Sequence, residues 1–507
     1  MEEEHIEVVP RFYLFFSSSH SKQGYGVIPK NDKWTMGIAD KLSDVQKGSE
    51  DLSIYRVPRK LRKVKEDAYN PRVVSIGPLH RDNPNLIAMK EHKWRYMLFI
   101  LQQTNDFKNT TECLKKCTNA IYGLNTKVCE SYAEDLTEIK KQDLAEIMLV
   151  DGCFMLELFF RYDRYCSDIP LKHQSNDPIF SNAWMIPALK HDLALLENQI
   201  PFFILEILYN IIKPHIPHTV EYTPPNSVTS LALNFFQPMN QKAINEDTKT
   251  ADCKHLLHLL HNFFLPRSGH IVELGPAKAS NQHARKEDTE TANSNHLLKL
   301  LGKFFLPVPA KASKKKSKFK YCASDLYDAG IQFEKGLAED HLLCIQFVDG
   351  EIKIPPVFID DTTDSLFRNL IAFEQCHLKS SHHITSYVIL MKSLIRSKAD
   401  IKLLKKKEII VENFAGGEYF VHFQNILDHV NPKDFFFGDL CDQVNDYSRS
   451  WFHWRKFKVF WMVRLQRYMR SLYNTYFSSP WSITAFLAAA VLFGLTVTQT
   501  YYAIHPR

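Results

Sequence analysis

The C-terminal stretch PWSITAFLAAAVLFGLTVTQTYYAIHPR constrains this chain more than any other. Between Ser471 and Ile504 there is no charged residue. Trp481 to Ala503 would form a helix of about 34 Å, against a bilayer hydrocarbon core of roughly 30 Å. Pro480 and Trp481 stand at one end and Tyr501 with Tyr502 at the other, where an aromatic belt would lie. Arg455, Lys456, Lys458, Arg464, Arg467 and Arg470 precede the stretch, and only His505 and Arg507 follow it. The length and missing charge predict one transmembrane helix over 480–504, in the plasma membrane or an endomembrane, and the positive-inside rule places the N-terminal body in the cytosol. The chain opens with MEEEHIEVVP rather than a basic leader, so the expected topology is single-pass and tail-anchored, with membrane lipid as a partner. A buried core helix is the alternative reading. Just upstream, Trp451, Trp454, Phe457, Trp461 and Leu465 share one helical stripe, suited either to a membrane surface or to packing on the chain's own body.

The rest reads as a globular, mainly α body with a small β-hairpin. Residues 1–45 are expected to be poorly ordered, and 46–470 to form a helical body interrupted by a loose insert over about 213–320. At 24% charged residues and a net charge of +6, nucleic acid is not an expected partner. The ten cysteines show no disulfide framework and mostly sit in apolar runs, as buried reduced thiols do. Pro58, Pro71, Gly77 and Pro78 forbid long helices in SIYRVPRKLRKVKEDAYNPRVVSIGPLHR. NLIAMKEHKWRYMLFILQQ has helical spacing, and KQDLAEIMLVDGCFMLELFFRYD is apolar nearly all round, which predicts a buried helix. AWMIPALKHDLALLENQIPFFILEILYNII reads as helix, break and helix, with Asn198 placed to cap the second.

The insert holds an internal duplication, DTKTADCKHLLHLLHNFFLP at 247–266 and DTETANSNHLLKLLGKFFLP at 288–307, and SVTSLALNFFQP is a degenerate third copy. It ends in a run of six lysines between Lys311 and Lys320, read as a solvated linker. Further on, Leu343, Ile345 and Phe347 alternate before Asp349-Gly350, and Ile352 and Ile354 alternate after it, which predicts a hairpin. TDSLFRNLIAFEQCHL, ITSYVILMKSLIRS and DIKLLKKKEII are predicted helices, the last capped by Asp400.

Phosphate cradles, nucleophile elbows and zinc signatures are absent from the sequence. His255, His258 and His261 recur every third residue, but the second repeat matches them with His296, Lys299 and Gly302, so no metal or other cofactor is expected. Asp151, Glu157, Asp192 and Glu197 lie in strongly apolar segments, where an unpaired carboxylate is costly. Two readings follow: an acid–base cluster of an enzyme, or a structural network paired with Arg56, His80, Lys93 or Arg95.

Taken in order, IYRVPRKLR, AYNPRVVSIGPLH, MLVDGCFMLELFF, DLALLENQIPFFIL, IPPVFIDDTTDSLFRNLIAFEQC, ITSYVILMKSLI and the C-terminal stretch resemble the plant family called domain of unknown function 247, from about residue 52 to 503. The resemblance implies a mainly helical plant protein with one C-terminal span and no catalytic residues to carry over. Some grass relatives are associated with the pollen side of self-incompatibility, which implies recognition or signalling through a protein partner.

Overall fold

The computed structural model describes residues 51–103, 107–167, 177–216, 222–236, 253–265, 318–337, 342–377, 382–412, 425–430, 435–449 and 480–504, with positions 34, 37, 38, 464 and 465. Most of segment 1–45, the second repeat copy, the lysine run before Lys318 and most of the aromatic stripe at 451–465 lie outside the described residues. In chain order the principal elements are α1 (Ala88–Gln102), α2 (Phe107–Tyr122), α3 (Lys141–Cys166), α4 (Met185–Leu193), α5 (Phe202–Ile212), α6 (Val228–Phe236), α7 (Leu256–Phe264), α8 (Ala323–Asp328), β1 (Gln332–Lys335), β2 (Gln346–Val348), β3 (Glu351–Ile354), α9 (Thr363–Cys376), α10 (His383–Leu394), α11 (Lys398–Lys406), α12 (Gly438–Arg449) and α13 (Pro480–Ile504). The chain divides into two units, one built mainly on residues up to 265 with 358–388 and 412–434, the other on 266–357, 389–411 and 435–507.

The first unit is organised around α3. Every residue from Met148 to Tyr162 is buried, as expected of a helix that is apolar on all sides. Helices α1, α2, α5 and α6 pack around it. Phe154 meets Tyr96 of α1, Phe159 meets Phe235 of α6, and Phe160 stacks on Tyr209 of α5. Within the region read as an insert, α6 buries Leu231, Ala232 and Phe235, and α7 buries Leu256, Leu257 and Leu259. The proline-rich segment 51–87 forms only short helical turns, as its sequence predicts, and threads through this core with Ile54, Val74 and Ile76 buried.

In the second unit the hairpin forms where it is predicted. Strands β2 and β3 pair antiparallel with Phe347 opposite Ile352, and the turn residues Asp349 and Gly350 both adopt left-handed backbone, with φ of 50° and 85°. Strand β1 adds in parallel on the other side of β3, a pairing the local pattern does not announce. Helix α11 starts one turn earlier than expected. Ser397 is its N-cap and Asp400 is the reciprocal partner of a capping box. The Asp400 carboxylate also accepts from the Ser324 amide and hydroxyl at 2.8 and 2.6 Å, fastening α8 to the start of α11.

The expected membrane arrangement is corrected. A helix does occupy Pro480–Ile504, but among the described residues no helix is long and apolar enough to cross a membrane. Thr496, Thr498, Gln499 and Thr500 interrupt the apolar character of its C-terminal half. The three threonine hydroxyls each donate to a carbonyl one turn back, to Leu492, Gly494 and Thr496. The readings that rested on a span, namely a single-pass, tail-anchored membrane protein with a cytosolic body, fall with it.

Candidate functional site

All four singled-out carboxylates belong to the first unit, and each is buried: Asp151 at 3% exposure, Glu157 at 3%, Asp192 at 0% and Glu197 at 2%. They do not converge on one point. Instead, each pins a different part of the chain.

Asp192, in the last turn of α4, binds successive backbone amides of segment 51–87. Its Oδ1 accepts from the Arg72 amide at 2.8 Å, and its Oδ2 accepts from Val73 and Val74 at 2.7 and 2.8 Å. His191 Nδ1 lies 2.8 Å from Oδ1. Asp151, in the middle of α3, takes the next stretch. Its Oδ2 accepts from the Gly77 amide at 2.8 Å and its Oδ1 from Lys93 Nζ at 2.5 Å, while the same ammonium donates to the Ser75 carbonyl. Gly77 has φ +74°, and a Cβ there would run into the Gln199 carbonyl oxygen, so only glycine fits between the two segments. Burial raises the Asp151 carboxyl above its ordinary value, opposed by Lys93 and the Gly77 amide.

Glu197 serves the start of the same segment. Its Oε1 accepts from the Val57 amide and from Arg62 Nη2, both at 2.6 Å, and its Oε2 accepts from Arg56 Nη1 at 3.1 Å, with His80 Nε2 at 3.6 Å. Glu157 looks inward along α3. Arg161 Nε donates to it at 2.7 Å and Gln103 Nε2 at 2.9 Å, and Arg161 continues to Asp177 at 2.6 Å. The Arg161 guanidinium lies 4.6 and 4.7 Å from the ring centres of Tyr96 and Phe99, so its faces are covered while its edges are hydrogen bonded. Burial also raises the Glu157 carboxyl, with Arg161 opposing.

Of the partners named from sequence, Arg56 and Lys93 bond these carboxylates, His80 Nε2 stands 3.6 Å from Glu197 with burial lowering its pKa, and Arg95 pairs with Glu91 on the surface of α1 instead. Arg62, Arg161 and Asp177 escaped the sequence reading. Arg161 was findable, since Glu157 and Arg161 stand four apart on one helix.

The break between α4 and α5, LENQIP, is the hub of this network. The Leu196 amide donates to Asn369 Oδ1 of α9 at 2.9 Å. Asn198 does not cap α5; Pro201 occupies that position without a side-chain bond. Instead Asn198 Oδ1 accepts from the Ile76 amide at 2.7 Å, and its Nδ2 donates to the Val74 and Asp192 carbonyls at 3.0 and 2.9 Å. Gln199 donates to the Leu193 and Leu195 carbonyls, both at 2.8 Å, and accepts from the Leu257 amide of α7 at 3.0 Å. A buried loop must satisfy its own backbone, and these two amides do so.

The N-cap His255 and the α7 residues His258 and His261 gather against Phe373 of α9, each with its own polar partner. His255 Nδ1 accepts from the His258 amide as an N-cap and its Nε2 meets the Ser53 carbonyl at 3.1 Å. His258 Nδ1 accepts from the Lys254 amide at 3.2 Å. His261 Nε2 lies 2.9 Å from Glu374, whose carboxylate also accepts from the Ile384 and Thr385 amides at the start of α10. Burial of His255 lowers its pKa well below the ordinary value, favouring the neutral ring. Among the described residues no group of three or more histidine, cysteine or acidic side chains is placed to hold a metal ion.

A family model for plant proteins of unknown function, DUF247, covers residues 54–495, from the segment held by Glu197 into α13. The chain belongs to this plant family. A UPF0481 protein of Arabidopsis thaliana is 29% identical to this DUF247 chain over 466 residues, covering 90% of the chain and 87% of its own length. A second UPF0481 protein of the same plant is 21% identical over 535 residues, covering 92% and 94%. No solved structure matches. The family has no established activity to transfer, so function has to be argued from the residues above.

Proposed function

We propose that this DUF247 protein is a non-enzymatic recognition or signalling protein that acts by binding another protein. The observation that carries this reading is the state of the four carboxylates. An acid–base pair needs an oxygen within reach of substrate. Here Asp151, Asp192 and Glu197 are engaged with backbone amides and cations of the chain's own segment 51–87 and with α1, and Glu157 is engaged with Arg161 and Gln103. Their chemistry is that of internal staples, which leaves the exterior of the body as the part that meets other molecules.

Proximity labelling with the full-length chain in its own plant tissue tests the reading, beside a Leu196→Asp copy whose core is broken. The expected result is a reproducible set of neighbouring proteins labelled only by the intact chain. Loss of the chain's biological effect in Asp151→Asn or Glu157→Gln, with the fold and the labelled neighbours unchanged, would overturn it in favour of an enzyme.

A further inference from the structure

Four imidazoles surround one phenyl ring in the first unit. His255 at the start of α7, His258 and His261 within it and His377 just after α9 have ring centres 5.2 to 5.5 Å from that of Phe373. His258 is central, 6.0 Å from His255, 6.4 Å from His261 and 6.1 Å from His377. Two of the four rings are locked by backbone amides. The His258 amide donates to His255 Nδ1 at 3.2 Å, and the Lys254 amide donates to His258 Nδ1 at 3.2 Å. An imidazole nitrogen that accepts from an N–H carries no proton. His255 Nε2 therefore holds the proton of its ring and donates to the Ser53 carbonyl at 3.1 Å.

We propose that His255 and His258 form an acid-released latch, which holds α7 against segment 51–87 and α9 while both rings are neutral and lets it go when they take up protons. A proton on His255 Nδ1 would face the His258 N–H, setting two donors against each other, and α7 would lose its N-cap. A proton on His258 Nδ1 would face the Lys254 N–H in the same way. Release uncovers Leu256, Leu257, Leu259 and Leu260, which the seated helix buries.

Among the described residues, the groups facing the cluster offer no spare anion to hold these protons. From segment 51–87 come Tyr55, whose hydroxyl lies 3.3 Å from His377 Nδ1, and Asp51, which Lys254 engages at 2.9 Å. Glu374 of α9 is taken by His261 and by the Ile384 and Thr385 amides. The Cys376 thiol, pushed up to about 12 by burial, stays neutral. His382 and His383, where α10 begins, would add only positive charge. Burial depresses His255, and neighbouring His258, His377 and His261 add to the effect. An opened histidine takes a proton below about pH 6.5, which the seated His255 resists. The latch is therefore intact above that pH and weakens as pH falls.

Hydrogen exchange on the intact chain, corrected for the intrinsic effect of pH, tests the latch at the amides of Leu257, His258 and Leu259. They donate to Gln199 Oε1, His255 Nδ1 and the His255 carbonyl. One proton linked to opening raises the opening constant by up to about tenfold between about pH 7.5 and 5.5, and the expected rise is at least about fivefold. Amides at the centre of α3 should rise less than half as much. In the double variant His255→Asn and His258→Asn the side-chain oxygens can accept from the same two amides without titrating, so the α7 rise should be less than half that of the wild type. A smaller wild-type rise overturns the latch, as does half or more of it in α3, which is global unfolding, or in the double variant. Ring-nitrogen NMR of the wild type gives a reading that needs no variant. His255 is expected as the Nε2–H tautomer at neutral pH, and an Nδ1–H tautomer overturns the latch.

Discussion

Replacing Asp192 with asparagine changes one atom pair and removes one charge, and the structure fixes what that does. Two backbone amides converge on Oδ2, from Val73 at 2.7 Å and Val74 at 2.8 Å, and a third, from Arg72, reaches Oδ1 at 2.8 Å. Whichever way a carboxamide is turned, its NH2 group faces at least one N–H that is also a donor. A buried donor left without an acceptor costs ~1–3 kcal/mol, and hydrogen bonds to a charged acceptor, worth ~1.5–3 kcal/mol each, weaken when the charge is lost. Asp192 is completely buried, so water cannot take over as partner. The sum is about 3–5 kcal/mol, a large part of a typical stability of ~5–15 kcal/mol. For a unit of this size that corresponds to a fall in Tm on the order of 10 °C. Thermal unfolding of the purified full-length chain, followed by circular dichroism, reads it directly. A Tm for Asp192→Asn equal to or above that of the wild type would refute the structural role, because strained functional carboxylates often gain stability on neutralisation.

Other substitutions separate the remaining parts of the account. Leu196→Asp puts a charge at a position with 0% exposure and should abolish cooperative unfolding, whereas Phe203→Asp should lower Tm only modestly, because Phe203 is half-buried beneath the Lys127 ammonium at 4.4 Å; similar losses in the two would contradict this placement. Asp400 is held at about 2, below its ordinary 3.8, because hydrogen bonds from Ser324 and Ser397 outweigh burial. A depressed carboxyl stabilises above its unfolded value and loses that contribution as pH falls through the folded one. Stability should therefore decline between about pH 4 and pH 2, and urea midpoints for Asp400→Asn should decline less over the same window. Gly350→Ala forces a side chain into left-handed backbone and into the Tyr447 ring, and should cost more than about 1 kcal/mol by the same urea measurement.

Elements with a strong local signal were legible from sequence. The hairpin at Asp349-Gly350 follows from alternation around a turn that only left-handed backbone can make. The buried helix α3 follows from an apolar run that leaves no polar face. What sequence did not disclose is set by tertiary context. Asn198 looks like a cap, but the threaded segment offers it the Ile76 amide and the Val74 carbonyl, which claim its side chain. Arg62 reaches Glu197 across 135 residues of chain, and β1 joins β3 in parallel, neither of which has a local signature. The C-terminal stretch shows the opposite failure. Freedom from charge suggested a span, whereas among the described residues no helix is long and apolar enough to cross a membrane.

Buried carboxylates and amides hold segment 51–87 in place although it has almost no regular secondary structure. Hydrogen exchange at single-residue resolution on the intact chain tests this most directly, at the amides of Arg72, Val73, Val74, Ile76 and Gly77. All five donate to Asp192, Asn198 or Asp151. They should exchange as slowly as the centre of α3, at the rate set by global unfolding, and faster in Asp192→Asn. Exchange of these amides at the rate of an exposed loop in the wild-type chain would contradict the account.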